Sequence, residues 1–520
     1  MTTVALQRAP RPALGALRRN IRAWYPTIVV AANAVAFLLV RPDVNDLWAA
    51  RARATAVRNG VGLTYWFSWF SGGSTPGNYS VLTPYLSAFT TAEVLCAISA
   101  VAIPALVLVA LKDMPHPVLG STVAAFAAVC NLWSGRVPFL FGGALAVAAI
   151  WAFRRRQVAA TVVLALLSIL ASPVTGAFLA LGLAGVFLSY RQYRRAALIV
   201  IVAIGIGMGT VGVVFGTPGP EPFSDPLKVE MVSGLLLLLL ARPPIWLRTS
   251  IWVTVLATFV LAAFPNGMGS NLSRIVWYCL PVAVLGLSRF RVWILSLIVV
   301  PLLVAGANGT VTDLLNASNP VSTVGYYRPL AARLDQIQGL SDYRVEVVNH
   351  GAHAGYDALL NHAMLARGWE TQEDIALNAP LASASLDAVS YRIWLDNNAV
   401  GYVALPTMAV NTDPEYRLVQ GATLPYLKLL WQTRDWTLFQ VTNPTPIAMP
   451  PARVTKASQS ALTIEIPCAC TISLRVRWSQ YLQAALKDTK TSAIVSNDGS
   501  GWTQLLVPRA GVYVLRGKLI

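Results

Sequence analysis

The sequence is short of charge. Only 12% of its 520 residues are Asp, Glu, Lys or Arg, while 55% are hydrophobic. An average soluble chain is about 25% charged. A soluble fold of this size would lack the polar residues to cover so large an apolar content, whereas lipid requires no such cover. The shortage therefore excludes an ordinary soluble enzyme and predicts a polytopic membrane protein. Acidic residues are the scarcer sign, 23 against 40 Lys and Arg, for a formal charge of +17. Such an excess can serve nucleic acid, but here the arginines stand in short clusters at the ends of apolar runs. That is the pattern of cytoplasmic loops, so nucleic acid is not expected as a partner and a lipid bilayer is.

Cysteine and histidine are also few, five and four. Cys96, Cys130 and Cys279 lie in apolar runs and read as small core residues. Cys468 and Cys470 form a C-x-C pair. Without a second pair this is weak as a metal site, and a disulfide and two free thiols both stand. No Walker-type phosphate loop, Ser-His-Asp spacing, internal repeat or low-complexity stretch is found. No small-residue cleavage site follows the first apolar run, which continues into Arg41-Pro42-Asp43. That run is read as a retained helix and not as a removed signal.

What is present is a series of apolar runs of membrane-spanning character, about eleven of them. They fall near 24–41, 88–111, 117–133, 137–153, 157–171, 174–190, 194–215, 229–242, 246–263, 273–287 and 290–306. If the N-terminus is cytoplasmic, the inside loops carry Lys112, Arg154-Arg155-Arg156, Arg191 with Arg194-Arg195, Arg242 with Arg248, and Arg289 with Arg291. The outside loops carry scattered charges such as Arg136, Lys228 and Arg274, with Arg51, Arg53 and Arg58 as an exception in the first. An odd helix count then places the remainder of the chain on the far side of a plasma (inner) membrane. The expected domains are a transmembrane unit, 1–306, with a long first external loop, 42–87, and an extracytoplasmic domain, 307–520.

After Gly306 the pattern changes. Tracts at 343–348, 399–404, 436–441 and 461–466 have strand propensity and are separated by Gly, Pro, Asn and Asp. Segments 326–339 and 356–365 read as helical. The C-terminal domain is expected to be α+β, with β-sandwich-like strands after about 430.

The first external loop is long, and loops above about 15 residues tend to be functional. It opens Pro42-Asp43-Val-Asn45-Asp46 and continues through a helical stretch, 46–58, expected to lie on the bilayer surface. An aromatic run follows, Tyr65-Trp66-Phe67-Ser-Trp69-Phe70, and then Thr83-Pro84-Tyr85. The rings are expected at the membrane interface. Two carboxylates at the outer end of a first helix suggest a catalytic base, with Asp46 favoured over Asp43. Either aspartate can instead cap the helix.

This opening, with Gly60, Trp66, Gly72-Gly73 and Tyr85 behind it and Gly269-Ser-Asn271-Leu-Ser-Arg274 at the start of a late helix, resembles the GT-C superfamily of glycosyltransferases. The likeness is to actinobacterial members. It implies a membrane enzyme that transfers a sugar of the arabinofuranose or mannose class from a polyprenyl-phosphate donor to a cell-envelope glycan or glycolipid acceptor. The Asp-x-x-Asp spacing departs from the Asp-Asp, Asp-Glu or Asp-x-Asp of many members, which leaves the choice of base and a divalent cation open. A secondary transporter and a non-catalytic scaffold of envelope assembly are the other readings; the missing repeat of halves counts against the transporter.

Further groups are candidates for the same mouth. Arg274 at a helix start suits a phosphate, with Arg51 and Lys228 as additional cations; an interfacial arginine snorkelling to headgroups is the alternative for Arg274. Glu93 lies inside an apolar run, where a carboxylate is either functional or paired with a loop arginine. Asn271, Trp66 and Tyr85 are candidate substrate contacts. So are His350, His353 and Trp369, in a segment whose His-x-x-His spacing matches no standard zinc site.

Overall fold

A computed structural model describes residues 13–348, 351–409, 413–489 and 491–519, with side chains from residue 23 onward. Its N-terminal part is a bundle of helices. They are α1 (Ala13–Val40), α2 (Asn45–Arg58), α3 (Thr83–Phe89), α4 (Ala92–Ala110), α5 (Pro117–Trp133), α6 (Val137–Arg154), α7 (Val158–Ala171), α8 (Pro173–Ser189), α9 (Arg194–Phe215), α10 (Asp225–Leu239), α11 (Ile245–Ala263), α12 (Leu280–Leu287) and α13 (Val292–Ala317). A helix stands at every expected apolar run. Among the described residues, seven spans, in α1, α4, α6, α9, α11, 269–287 and α13, are long and apolar enough to cross a membrane; α5, α7 and α8 are apolar but shorter. Length and composition thus support seven of the about eleven expected crossings.

The outward face of the bundle is apolar, as lipid demands. Phe259, Ile206, Val213, Leu256 and Leu297 are each at least 60% exposed. Where helices meet, small residues allow close approach. A Cβ on Gly185 of α8 would lie 2.4 Å from the Trp246 carbonyl of α11.

The expected boundary at 306 falls inside a helix. Despite its Gly and Asn, the chain stays helical through Ala317, which puts Asp313 on a helix facing the bundle mouth. Beyond it, two sheets form the C-terminal domain. The first has β1 (Arg344–Val347), β2 (Val400–Pro406), β3 (Leu427–Gln432) and β4 (Trp436–Val441) in the order β1-β2-β4-β3. Its β1 and β2 are parallel and its other pairs antiparallel. Helices at Val324–Leu334 and Ala354–Leu359 form where helix is expected, each ending several residues early.

The second sheet has β5 (Arg453–Ala457), β6 (Ala461–Ile466), β7 (Thr471–Arg477), β8 (Leu482–Leu486), β9 (Ser492–Asn497), β10 (Trp502–Leu506) and β11 (Gly511–Gly517). They hydrogen-bond in one continuous seven-stranded order, β5-β6-β11-β8-β9-β10-β7. Alternate residues such as Leu462, Ile464, Ile466, Ile472, Leu474 and Val476 turn to one core. Tyr65 and Phe67 of the first loop enter that same core. Cys468 and Cys470 are joined as a disulfide.

The first loop is the mortar between bundle and C-terminal domain. Trp66 and Trp69 stack at 4.3 Å, and both are fully buried beside Val345, Tyr356 and Leu438. The aromatic run therefore does not lie at a lipid interface; protein covers it on all sides. The same holds for α2, which forms as expected but is enclosed. The Trp48 indole donates to the Ser322 carbonyl at 2.9 Å, and Arg53 pairs with Glu370 at 2.7 Å.

Candidate active site

The sharp turn between α5 and α6 begins the site. Gly135 has φ +72°, and an added Cβ would lie 2.5 Å from the Leu47 Cβ and 2.7 Å from its amide nitrogen. Only glycine permits that backbone to seat against α2. The contact brings Arg136 beside Asp46, in the first turn of α2. Arg136 Nε lies 3.4 Å from Asp46 Oδ2, and its Nη2 lies 3.3 Å from Asp313 Oδ2 on α13. The same guanidinium approaches the Tyr278 hydroxyl and Asn131 Oδ1, both at 3.4 Å. The contact with Asp46 is an ion pair that is not aligned as a hydrogen bond. Neither Asp46 oxygen accepts a hydrogen bond among the described residues, and the side chain is 42% exposed. Asp46 does not cap α2, whose N-cap is Val44 without a side-chain bond.

Asp46 opens into a cavity of about 280 Å³ that also receives Arg136, Arg274, Asn271, Asn78 and Tyr79. Gln372 enters it from the C-terminal domain. The other wall is apolar, built by Phe139, Pro173, Val174, Met208 and Val211 from α6, α8 and α9. Arg274 is placed by an irregular helix. The chain turns through Gly269–Leu272, passes Arg274, and then makes a π-helical turn over Ile275–Cys279. Such turns are rare and occur frequently at functional sites. The Arg274 guanidinium lies 5.2 Å from the Phe139 ring centre and makes no hydrogen bond or ion pair among the described residues. A half-buried arginine in no ion pair among the described residues, beside another arginine, has the charge and the free donors that suit an anion.

Tyr79 roofs the cavity beneath Arg53, 4.4 Å from its ring centre. Burial, with Asp46 nearby, pushes its hydroxyl up to about 12, so it stays a donor at neutral pH. Asn78 donates to Glu373 Oε1 at 3.1 Å, tying this roof to the C-terminal domain.

Of the expected site residues, Asp46, Arg274 and Asn271 meet here. The others do not line this cavity. Asp43 pairs with Arg51 at 3.7 Å, and Arg51 is held by Glu93 at 2.8 Å and packs over Trp48. Two carboxylates thus occupy the cation expected to hold a phosphate, and Glu93 takes its loop-arginine partner. Lys228 pairs with Asp225 at 2.8 Å, one turn earlier on α10. Trp66 is sealed in the core, and Tyr85 is 43% exposed in a shallow cleft with Arg53. His353 is half-buried against Trp369, 5.3 Å between ring centres, and desolvation there holds it below the usual histidine value. Its backbone amide donates to the Asn45 side chain at 3.1 Å, so it anchors α2. His350 lies outside the described residues.

Arg136, Asp313, Tyr79 and Gln372 were not singled out as site residues in sequence. Arg136 did carry a signal: on the expected topology it is an arginine at an outer helix start, where the charge rule disfavours one. A divalent cation finds no fit in this cavity. Asp46 faces a guanidinium, and no group of three His, Cys, Asp or Glu side chains forms among the described residues.

By sequence, no family model and no curated protein matches the chain. Among solved structures, the Archaeoglobus fulgidus oligosaccharyltransferase aligns with a TM-score of 0.48 and 11% identity, over 84% of this chain and 76% of that one. Arabinofuranosyltransferase AftD from Mycobacteria aligns with a TM-score of 0.44 and 14% identity, over 86% of this chain and 41% of that one. At these values the likeness is too slight to carry a conclusion about fold or activity.

Proposed function

We propose that the protein is a membrane glycosyltransferase of GT-C type that uses a polyprenyl-phosphate sugar donor. One observation carries the reading: a carboxylate with free lone pairs and an arginine in no ion pair among the described residues open into a single cavity whose far wall is apolar. Asp46 takes the proton of an acceptor hydroxyl as its oxygen attacks the anomeric carbon. The bond from that carbon to the phosphate oxygen breaks on the opposite side, so the anomeric centre inverts. Arg274, with Arg136 beside it, meets the charge that grows on the departing polyprenyl phosphate. The Phe139, Pro173, Val174, Met208 and Val211 wall accepts the first isoprene units. Asn271, Asn78 and Gln372 are positioned for sugar hydroxyls. Arg136 keeps the Asp46 carboxylate oriented without taking its hydrogen-bonding capacity. The resemblance of the first loop to actinobacterial enzymes sets the donor panel, arabinofuranose and mannose, and the acceptor class, a cell-envelope glycan or glycolipid. We place the N-terminus in the cytoplasm and the C-terminal domain outside.

The test uses membranes carrying each variant and short-chain polyprenyl-phosphate arabinofuranose and mannose. Asp46→Asn is expected to lower transfer by about 10²–10⁴, the usual loss for a general base, with the melting temperature unchanged. Arg274→Ala is expected to weaken donor binding more than Arg274→Lys, which retains the charge and loses the fork. Full turnover by Asp46→Asn would overturn the assignment of the base.

A further inference from the structure

A second cavity, of about 390 Å³, lies in the C-terminal domain where it meets the end of α2. It is within the size range of ligand pockets, about 300–1,000 Å³. Its polar lining comes from distant segments: Asn59 after α2, Ser68 of the aromatic run, Ser341 before β1, Asn361 after the 354–359 helix, and Ser458 and Gln459 between β5 and β6. Two of its amides, Asn361 and Gln459, are held in place. Asn361 Oδ1 accepts from Asn59 Nδ2 at 2.8 Å and from Gln459 Nε2 at 2.9 Å. This leaves the Asn361 NH₂ as an unspent donor and Gln459 Oε1 as an unspent acceptor. Gln459 Oε1 and Ser68 Oγ are buried without a hydrogen-bond partner among the described residues. Buried polar atoms in that condition are uncommon in folded proteins.

The chemistry of the lining selects its ligand. Its one titratable group, His362, is paired with Asp335 at 2.9 Å. With no free cation, the lining does not suit a phosphate or a carboxylate. Leu340, Leu360 and Met364 are too few among the amides and hydroxyls to hold a lipid tail. Paired donors and acceptors on fixed amides match the vicinal hydroxyls of a neutral sugar. The position fits as well. Asn59 and Asp46 stand at the two ends of α2, and thirteen residues at 1.5 Å each put them about 20 Å apart. That is the length of several sugar rings.

We infer that this cavity is a subsite for a neutral glycan, holding the acceptor chain several units behind the hydroxyl presented to Asp46. The inference rests on the glycosyltransferase reading for the role of the glycan, but its binding can be measured without turnover. The probe is a panel of neutral oligosaccharides, two to six units of arabinofuranose or mannose. Binding to the full-length detergent-solubilised protein is followed by saturation-transfer NMR.

Asn361→Ala and Gln459→Ala are each expected to weaken binding of the longer members about tenfold, as for one lost hydrogen bond of ordinary strength. Ser341→Phe, which fills the cavity from its rim, is expected to abolish binding and covers the case in which an amide variant fails to fold. Asp46→Asn should bind as the wild type does. In turnover, the cavity variants should raise KM for long acceptors and leave kcat and the KM of a one-sugar acceptor unchanged. Unaltered oligosaccharide binding in folded Asn361→Ala, Gln459→Ala and Ser341→Phe would overturn the subsite and leave the active-site reading intact. Binding lost in those variants, in a protein that transfers no sugar, would leave the subsite and remove the transferase.

Discussion

Asp46 and Arg136 meet because Gly135 allows the α5–α6 turn to touch α2. The left-handed backbone costs a residue with a Cβ about 1–2 kcal/mol, and here the added carbon also meets the Leu47 backbone nitrogen at 2.7 Å. A backbone contact cannot rotate away as a side chain does. Gly135→Ala is therefore expected to lower the melting temperature and to reduce transfer together, since α2 must move off the turn that carries Arg136. A variant with wild-type stability and activity would show that this close approach does not set the site. Trp66 makes the opposite case. It stacks on Trp69 in a sealed core, so Trp66→Ala is expected to destabilise by about 3–5 kcal/mol, as for a buried aromatic. A role in holding sugar would instead raise KM with no loss of thermal stability.

At the scale of elements, the loop that covers the cavity is held by carboxylates of the C-terminal domain. Glu370 pairs with Arg53 at 2.7 Å. Glu373 accepts from Asn78 at 3.1 Å and from the Ser74 hydroxyl at 3.4 Å. Burial, with Glu370 close by, pushes Glu373 from 4.5 up to about 8, Arg53 opposing the shift. The folded state thus holds a proton that an unfolded glutamate has already released. Its stabilising contribution is complete below about pH 4.5 and is lost as the pH rises through about 8. Thermal stability is expected to fall between pH 6 and pH 8.5. Glu373→Gln, which keeps the acceptor oxygen and cannot ionise, is expected to flatten that slope. An identical slope in the variant would place the titration elsewhere.

For the whole molecule, the prediction concerns orientation in the membrane. The arginine clusters lie at one end of the bundle helices and the C-terminal domain at the other. With every native cysteine replaced, Ser500→Cys is expected to react with an impermeant maleimide in intact spheroplasts. Gln157→Cys, beside the Arg154–Arg156 cluster, should react only after lysis. Both side chains are exposed. The reverse pattern would invert the topology and put the cavity on the cytoplasmic side.

The sequence by itself determined the membrane class, the position of each apolar helix, several strands and three residues of the cavity. These depend on local properties: apolar length, alternation, and an acidic or basic residue at a helix start. Tertiary structure decided which charges are free. Arg51 and Arg274 look alike along the chain, but a carboxylate 42 positions away pairs with Arg51 at 2.8 Å, and none among the described residues pairs with Arg274. Coulomb attraction depends on distance in space, and sequence separation does not report it. The same reason hid Arg136, whose partners Asp46 and Asp313 come from the first and last parts of the bundle. It also misplaced the aromatic run, since the same rings suit a lipid interface or a protein core, and only the C-terminal domain folding over Trp66 and Trp69 decided for the core.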